Sequence, residues 1–486
     1  MLSNFSLRLT LPLAGLFVIA ASVSAQADPA TTARIIEEGK NHSQVMTLLR
    51  ELTNIGSRLT SSPRLAKAED WAMKKFRSYG LTNVHLEKWG EFPVGFDRGK
   101  NSFGRMISPQ TLKFEFTTQS WTEGTRGPKK GPAVYAPTTM DEFNANKSKY
   151  KNAWLISKTT PPRPPRIRPG ETPPDPTPEQ KAAEDLRMAI AKSGAYGYVY
   201  PSRNDLVITS GNYRDKTFEN HPKDVQVMVR KMDMDNITKL MDEGKPVTLE
   251  FNLDQRFVKG PISNYNVVAE IKGSEKPDEV VIVSGHLDSW DGPGSQGALD
   301  NGTGSCTAIE AARILSAVKA KPKRTIRFIL WTGEEQGLLG SRQYVIDHKD
   351  ELPKISAVLV DDGGTNYQGG YIGLTSQKEI FEAAFKPVVE AFPDMPQTFT
   401  GGEHQQRPVG SDQDSFNPLG VPGFFTNETG RSNYGFVHHT QNDKYEMAIP
   451  EYLVQSGTNH AVVSYYIACL PDLLPRDPNP RGGRGG

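Results

Sequence analysis

The chain has 486 residues, of which 36% are hydrophobic and 23% charged, and a formal net charge of +1. That length exceeds one minimal core, so a large catalytic domain with an accessory domain is expected. The composition excludes extensive disorder, and the balanced charge argues against nucleic acid or an anionic membrane as partner.

Arg8 precedes the apolar run LTLPLAGLFVIAASVSAQA. The run is short for a membrane span and ends in small residues, so residues 1–27 read as a signal peptide. Ala25-Gln26-Ala27 fits the cleavage site, with a mature start near Asp28 and export to the periplasm or medium. An uncleaved anchor is the competing reading. After cleavage no membrane attachment is expected.

Residues 28–109 read as the first part of the catalytic domain. In PRLAKAEDWAMKKFRSYG, Leu65, Ala68, Ala72, Phe76 and Tyr79 share one helical face, and Gly80 is a C-terminal stop. LTNVHLEKW then alternates as a strand. Residues 110–255 differ: short β-like runs (GPAVYAP, AWLIS, YGYVYP, VQVMVRK, VTLEFNL) alternate with loops, as in an inserted domain. The proline-rich run Pro161–Gln180 reads as a stiff exposed loop. Asp233 and Asp235 lack the later glycine and glutamate of a calcium loop, and read as helix capping before NITKLMDEG.

Residues 256–474 turn regularly α/β. NVVAEI, EVVIVSG, TIRFILW and ISAVLVD alternate with helical stretches such as TAIEAARILSAVKA and SRQYVIDHK. PGFFTN and a last helix, PEYLVQSGTNHAVVSYYIACL, follow. This rhythm predicts an α/β fold, a mostly parallel mixed sheet sandwiched by helices. The tail 475–486 is expected to be disordered. Cys306 and Cys469 are too few for a structural zinc cluster; both sit in apolar helical patterns and read as unpaired.

The polar residues fall where such a sheet binds ligands, beyond the carboxyl ends of its strands. EVVIVSG runs into His286 and Asp288, TIRFILWTG into Glu334 and Glu335, and ISAVLV into Asp361 and Asp362. A glycine-rich loop, DGPGSQGALDNGTG, carries Asp300, and FVHHTQND supplies His438 and His439. Each of these features alone has a bland reading as a solvated loop. Clustered carboxylates repel, and a bound cation relieves that cost. Imidazole with carboxylate and no thiolate suits zinc, with cobalt or manganese as substitutes. The carboxylates outnumber the needs of one ion, which favours two. Asp288, two residues after His286, is placed to orient its imidazole.

In order, SGHLDSW, GALDNGTG, WTGEEQGLLGS, VDDGGT and HHTQND resemble the di-zinc exopeptidase family that includes bacterial leucyl aminopeptidases. Within it, the resemblance is to the carboxypeptidase Q branch. It covers roughly 263–470 and extends to GSRLTSSPRLAKAEDWAMKKF. The resemblance implies a zinc-exopeptidase fold, with 110–255 similar to an inserted protease-associated domain. It implies Asp300 as the bridging ligand, followed by a cis peptide to Asn301. One zinc would have Asp300, Glu335 and His439, the other Asp300, His286 and Asp362. Asp361 and His438 are the neighbouring alternatives to Asp362 and His439. Glu334 is implied as the general base for a zinc-held hydroxide that attacks a peptide bond, with Tyr434 a candidate oxyanion donor.

The implied substrate is a short peptide or dipeptide. Carboxypeptidase, dipeptidase and aminopeptidase specificity all stay open, as does a non-catalytic binding protein on the same scaffold. A homodimer is compatible with the reading. Asp412 of GSDQDSF resembles a family position but is followed by glutamine instead of histidine, and receives no catalytic role. His348 and His404 read as surface or hydrogen-bonded residues, and the sequon Asn301-Gly302-Thr303 as a chance match.

Overall fold

The computed structural model describes residues 27–161, 175–221 and 223–480. The expected signal segment up to residue 26, and most of the proline-rich run, lie outside them. Among the described residues no helix is long and apolar enough to cross a membrane.

The larger sheet has six strands: β1 (Thr82–Arg98), β2 (Gln255–Ile271), β3 (Lys276–His286), β4 (Arg324–Trp331), β5 (Ile355–Val360) and β6 (Gly423–Phe425). They lie in the order β1-β2-β4-β3-β5-β6. The pairs β3/β4, β3/β5 and β5/β6 are parallel, whereas β1/β2 and β2/β4 are antiparallel. The mostly parallel mixed sheet expected from the α/β rhythm is therefore present. Successive side chains of a strand point to opposite faces. Val281 and Val283 accordingly enter one apolar core and Val280 and Ile282 another. Burial on both faces explains why these strands read as unbroken apolar runs.

Helices α1 (Pro29–Asn41), α2 (Val45–Ile55), α3 (Pro63–Ser78), α4 (Thr303–Ala317) and, late in the chain, the helices Lys378–Ala391 and Pro450–Ala468 pack on the first of these cores. The short helix Leu339–Asp347 packs on the other through Tyr344 and Val345. The boundaries of α3 follow from its sequence. Ser62 Oγ accepts the Leu65 N–H at 3.1 Å, and Pro63 opens the first turn. At the far end Gly80 takes φ +82°, which lets Leu81 N–H reach Phe76 C=O and Gly80 N–H reach Arg77 C=O. Leu65, Ala68, Ala72 and Phe76 are buried as the periodicity predicts, and Tyr79 is half-buried.

The chain leaves the larger sheet at Arg98 and re-enters at Gln255, which pairs with it. Between them lies an eight-stranded sheet drawn from Phe103–Asn252, with helices Met140–Tyr150, Pro178–Ala191 and Lys231–Asp242. This second sheet begins at Phe103, ahead of the expected boundary at 110, because Phe103–Ser108 pairs with Thr248–Asn252. The capping role expected for Asp233 and Asp235 is not found: the helix starts at Lys231, and Asp233 lies inside its first turn, bridged to Arg230 at 3.0 Å. An aromatic cluster joins the two units, with Trp121 against Phe92, Phe96, Tyr213 and Trp290.

Both cysteines are free and buried. The tail corrects one expectation. Through Asp477 it is packed: Arg476 donates to the carbonyls of Leu352 and Ile355 at 2.9 and 2.7 Å, and Asp477 accepts from His404 at 3.1 Å.

Candidate metal centre

Three parallel strands set the floor of the site. His286 pairs with Trp331 and Ser284 with Val360, so the residues after β3, β4 and β5 emerge side by side. The loop after β3 then folds back to present Asp300 in front of them. Gly297 makes that return at φ +61°, and a Cβ there would lie 2.3 Å from Ser289 Oγ. A side chain at Gly304, in the first turn of α4, would collide with the Asp361 carbonyl at 2.1 Å. Glycine is required at both positions by space. The Asp300–Asn301 peptide is cis, as the motif resemblance implied.

His286 is buried. Its Nδ1–H donates to the Asp288 backbone carbonyl at 2.9 Å, which leaves Nε2 facing the site. Nε2 lies 3.1 Å from Asp362 Oδ1, 3.3 Å from Asp300 Oδ1 and 3.8 Å from Glu334 Oε2. On the other side, His439 Nε2 lies 3.2 Å from Asp300 Oδ2 and 3.0 Å from Glu335 Oε2. Asp300 thus has one oxygen toward each histidine, and its buried Oδ2 has no hydrogen-bond partner. His286, Asp300 and Asp362 form one group of metal-competent donors, and Asp300, His438 and His439 a second.

The two ambiguous pairs separate by geometry. The Asp361 carboxylate turns beneath the site, accepting from Thr307 Oγ1 at 2.8 Å and Gln368 Nε2 at 2.9 Å, while Asp362 faces His286. His438 approaches Asp300 only to 3.8 Å and stacks on His439, which alone also reaches Glu335. Asp288 touches the imidazole differently from expectation. Its carbonyl makes the hydrogen bond, and its carboxylate, 3.7 Å from Nδ1, accepts from Thr60 Oγ1 and the Glu334 N–H.

The electrostatics are those of a crowded buried cluster. Burial raises the Glu334 carboxyl well above its usual range against the pull of His286, with Asp362 and Glu335 adding to the rise. Burial also lifts Glu335 to about 7, partly offset by His439. Burial opposes protonation of His439, yet Glu335 and Asp300 push it up to about 11. Asp300 is also desolvated, but the nearby His286 and His439 rings hold it well below the carboxylate range. Such mutual repulsion and proton sharing is relieved when a cation enters.

Several further residues shape or border the site. Arg58 is fully buried and donates to the carbonyls of Leu287, Gln296 and Gly297, bracketing the loop that delivers Asp300. Asp443 accepts the Leu299 N–H at 2.6 Å. Asp412 is fully buried with both oxygens unpartnered, and burial holds its carboxyl up to about 7. Asn301 is buried and bonded to the Asp361 carbonyl and the Gly304 N–H, consistent with the sequon being a chance match. His348 binds Glu87 and His404 binds Asp477, the hydrogen-bonded roles expected of them. The site opens into a cleft of about 900 Å³, with Tyr434 and His438 on one side and Leu338, Arg342 and Val409 along its walls.

Residues 266–463 match peptidase family M28. Carboxypeptidase Q of Mus musculus is 29% identical over 427 residues, 87% of this chain and 85% of that protein. An aminopeptidase of Pseudomonas aeruginosa is 36% identical over 156 residues, 28% of each chain. The crystal structure of a peptidase M28 precursor from Shewanella amazonensis superposes with a TM-score of 0.59 at 25% identity, covering 92% of this chain and 98% of that one. A zinc aminopeptidase from Bacillus subtilis shares the fold, with a TM-score of 0.50 at 20% identity over 87% and 94% of the two chains. All five clustered ligand-type residues, His286, Asp300, Glu335, Asp362 and His439, lie within the segment 266–463 that matches peptidase family M28.

Proposed function

We propose that this protein is a zinc-dependent exopeptidase that hydrolyses short peptides or dipeptides at a two-metal site, with the specificity of a carboxypeptidase or dipeptidase. The observation that carries the reading is Asp300, whose two oxygens face two separate histidines. The donors fit the proposed ions: nitrogen and oxygen ligands, no thiolate, and an unpartnered buried carboxylate oxygen between them. His286, Asp300 and Asp362 would hold one ion, and Asp300, Glu335 and His439 the other. Bound zinc supplies a polarised substrate carbonyl and a water with a pKa near 7.

The residues of the chain do the rest. Asp288 holds His286 with Nε2 inward, and fixes the Glu334 backbone through its N–H. Glu334, 3.8 Å from His286 Nε2, takes the proton from water and passes it to the leaving amine. Tyr434 lines the cleft, and burial keeps its hydroxyl protonated and able to donate to developing oxyanion charge.

The carboxypeptidase Q likeness spans 87% of the chain, including the second sheet, whereas the aminopeptidase match covers 28%. That span favours a specificity of the carboxypeptidase Q kind. A complete ligand set together with a base disfavours a purely binding role. The N-terminal sequence supports export. Zinc titration of the metal-depleted protein tests the metal count: peptidase activity is expected to reach its plateau at two equivalents. A plateau at one equivalent would remove the two-metal reading.

A further inference from the structure

The second sheet unit reaches into the metal centre. Its segment 207–209 runs beside the loop that carries His439, and Ile208 pairs with Thr440 as an antiparallel bridge. Thr209 N–H donates to the His439 carbonyl at 2.8 Å, and Gln441 N–H donates to the Val207 carbonyl at 3.2 Å. The Gln441 side chain closes the contact from both ends. Its Oε1 accepts the Val207 N–H at 2.8 Å, and its Nε2 donates to Glu115 Oε2 at 3.0 Å. Val207, Thr209 and Gln441 are buried, so the bonds between the two segments are shielded from water, while the Glu115 contact is part-buried. His439 itself sits at φ +54°, a conformation a non-glycine residue keeps only when its surroundings impose it. The other histidine is different. His286 is the last residue of β3, and its hydrogen-bond partners, Asp288 and Ser305, belong to the larger unit.

We infer that the second unit is a built-in part of one half of the metal centre. Gln441, clamped between Val207 and Glu115, is a positioning residue that holds His439 in place, and so sets the affinity of the metal position shared by His439 and Glu335. The position of His286 and Asp362 depends on the larger unit alone. The unit is then a fixed brace at this point of the cleft, and loss of its grip empties one metal position selectively. The inference rests on the reading of His439 as a ligand.

The test is calorimetric zinc titration of the metal-depleted full-length protein, repeated with cobalt to follow absorption from each position. Gln441→Glu places a carboxylate against Glu115. It is expected to weaken one binding step by about 10- to 100-fold, the range for residues that orient a ligand, and to leave the other within about twofold. Glu115→Gln in the same chain is expected to restore the lost step, a rescue that general destabilisation would not give. Should Gln441→Glu fail to fold, Glu115→Ala alone is expected to weaken the same step by a smaller factor. His439→Ala is the reference and should abolish that step. Equal weakening of both steps, no change in either, or failure of the rescue would overturn the inference while His439→Ala still removes one step. If His439→Ala leaves both steps intact, the ligand assignment beneath it falls as well.

Discussion

Arg58→Met removes a fully buried guanidinium and keeps most of its volume. The side chain donates to Leu287 C=O at 2.7 Å, Gly297 C=O at 2.7 Å and Gln296 C=O at 3.1 Å, with a longer contact to Gly56 C=O at 3.4 Å. Three of these carbonyls bracket the loop between His286 and Asp300. Burial pulls the guanidinium pKa down, and the Asp443, Asp288 and Asp300 charges oppose that pull. Each charge-assisted bond contributes about 1.5–3 kcal/mol, but desolvation of the cation offsets part of the total. Deleting one partner of a buried charged network costs about 3–5 kcal/mol, because the acceptors and anions left behind stay buried. At about 2 cal/mol/K of unfolding entropy per residue, a loss of about 4 kcal/mol lowers Tm by about 4–7 °C for a unit of about 300 to 450 residues. Calorimetry of the metal-depleted protein reads this shift free of metal linkage. Lys74→Met is the control: its ion pair with Asp70 is exposed and contributes about 0.5 kcal/mol or less. A Tm drop for Arg58→Met no larger than that of Lys74→Met would refute the claim that this guanidinium organises the loop.

Three further outcomes follow from the same residues. Glu334→Gln should retain both zinc equivalents and lose about 10³-fold in kcat, within the range for a general base; a kcat within tenfold of the parent would end its role. Asp300→Ala should lose bound metal at both positions, measured by elemental analysis after gel filtration, and full zinc occupancy would contradict the shared-ligand assignment. Burial, with a contribution from Asp288, raises the buried Glu69 carboxyl from 4.5 to about 8. The folded chain therefore binds the proton more tightly than the unfolded one. The stability this contributes is complete below pH 4.5 and is lost as pH rises to about 8. Glu69→Gln should flatten that part of the stability–pH curve, and an unchanged curve would show that Glu69 is already ionised in the fold.

Much of this arrangement was legible in the sequence, for a local reason. Apolar runs that end in polar residues mark strand ends, and His286, the Glu334–Glu335 pair and the Asp361–Asp362 pair each terminate such a run. Their convergence follows from parallel pairing alone. The preference for Asp362 over Asp361 came from the motif resemblance, and side-chain contacts that the sequence does not announce separate the two: Thr307 and Gln368 occupy the Asp361 carboxylate, whereas Asp362 faces His286. What stayed hidden is long-range. Arg58 meets Gly297 across 239 positions, and Val207 meets Gln441 across 234, with no periodicity to announce either contact. Asp233 misled because an aspartate before an apolar stretch looks like a cap, whereas here Arg230 recruits it into the first turn. The tail misled because its proline and glycine content hides Arg476 and Asp477, which anchor it through distant carbonyls and His404.

The most direct test of the central claim is a product assay on the purified mature protein. One set of short peptides would be offered free, N-acetylated and C-amidated, with and without a chelator, and after zinc is restored. Cleavage of the free peptides is expected, blocked by C-amidation, lost with the chelator and recovered with zinc. Cleavage that persists after complete zinc removal would contradict the metal site, and amidated peptides cleaved as fast as free ones would contradict the specificity.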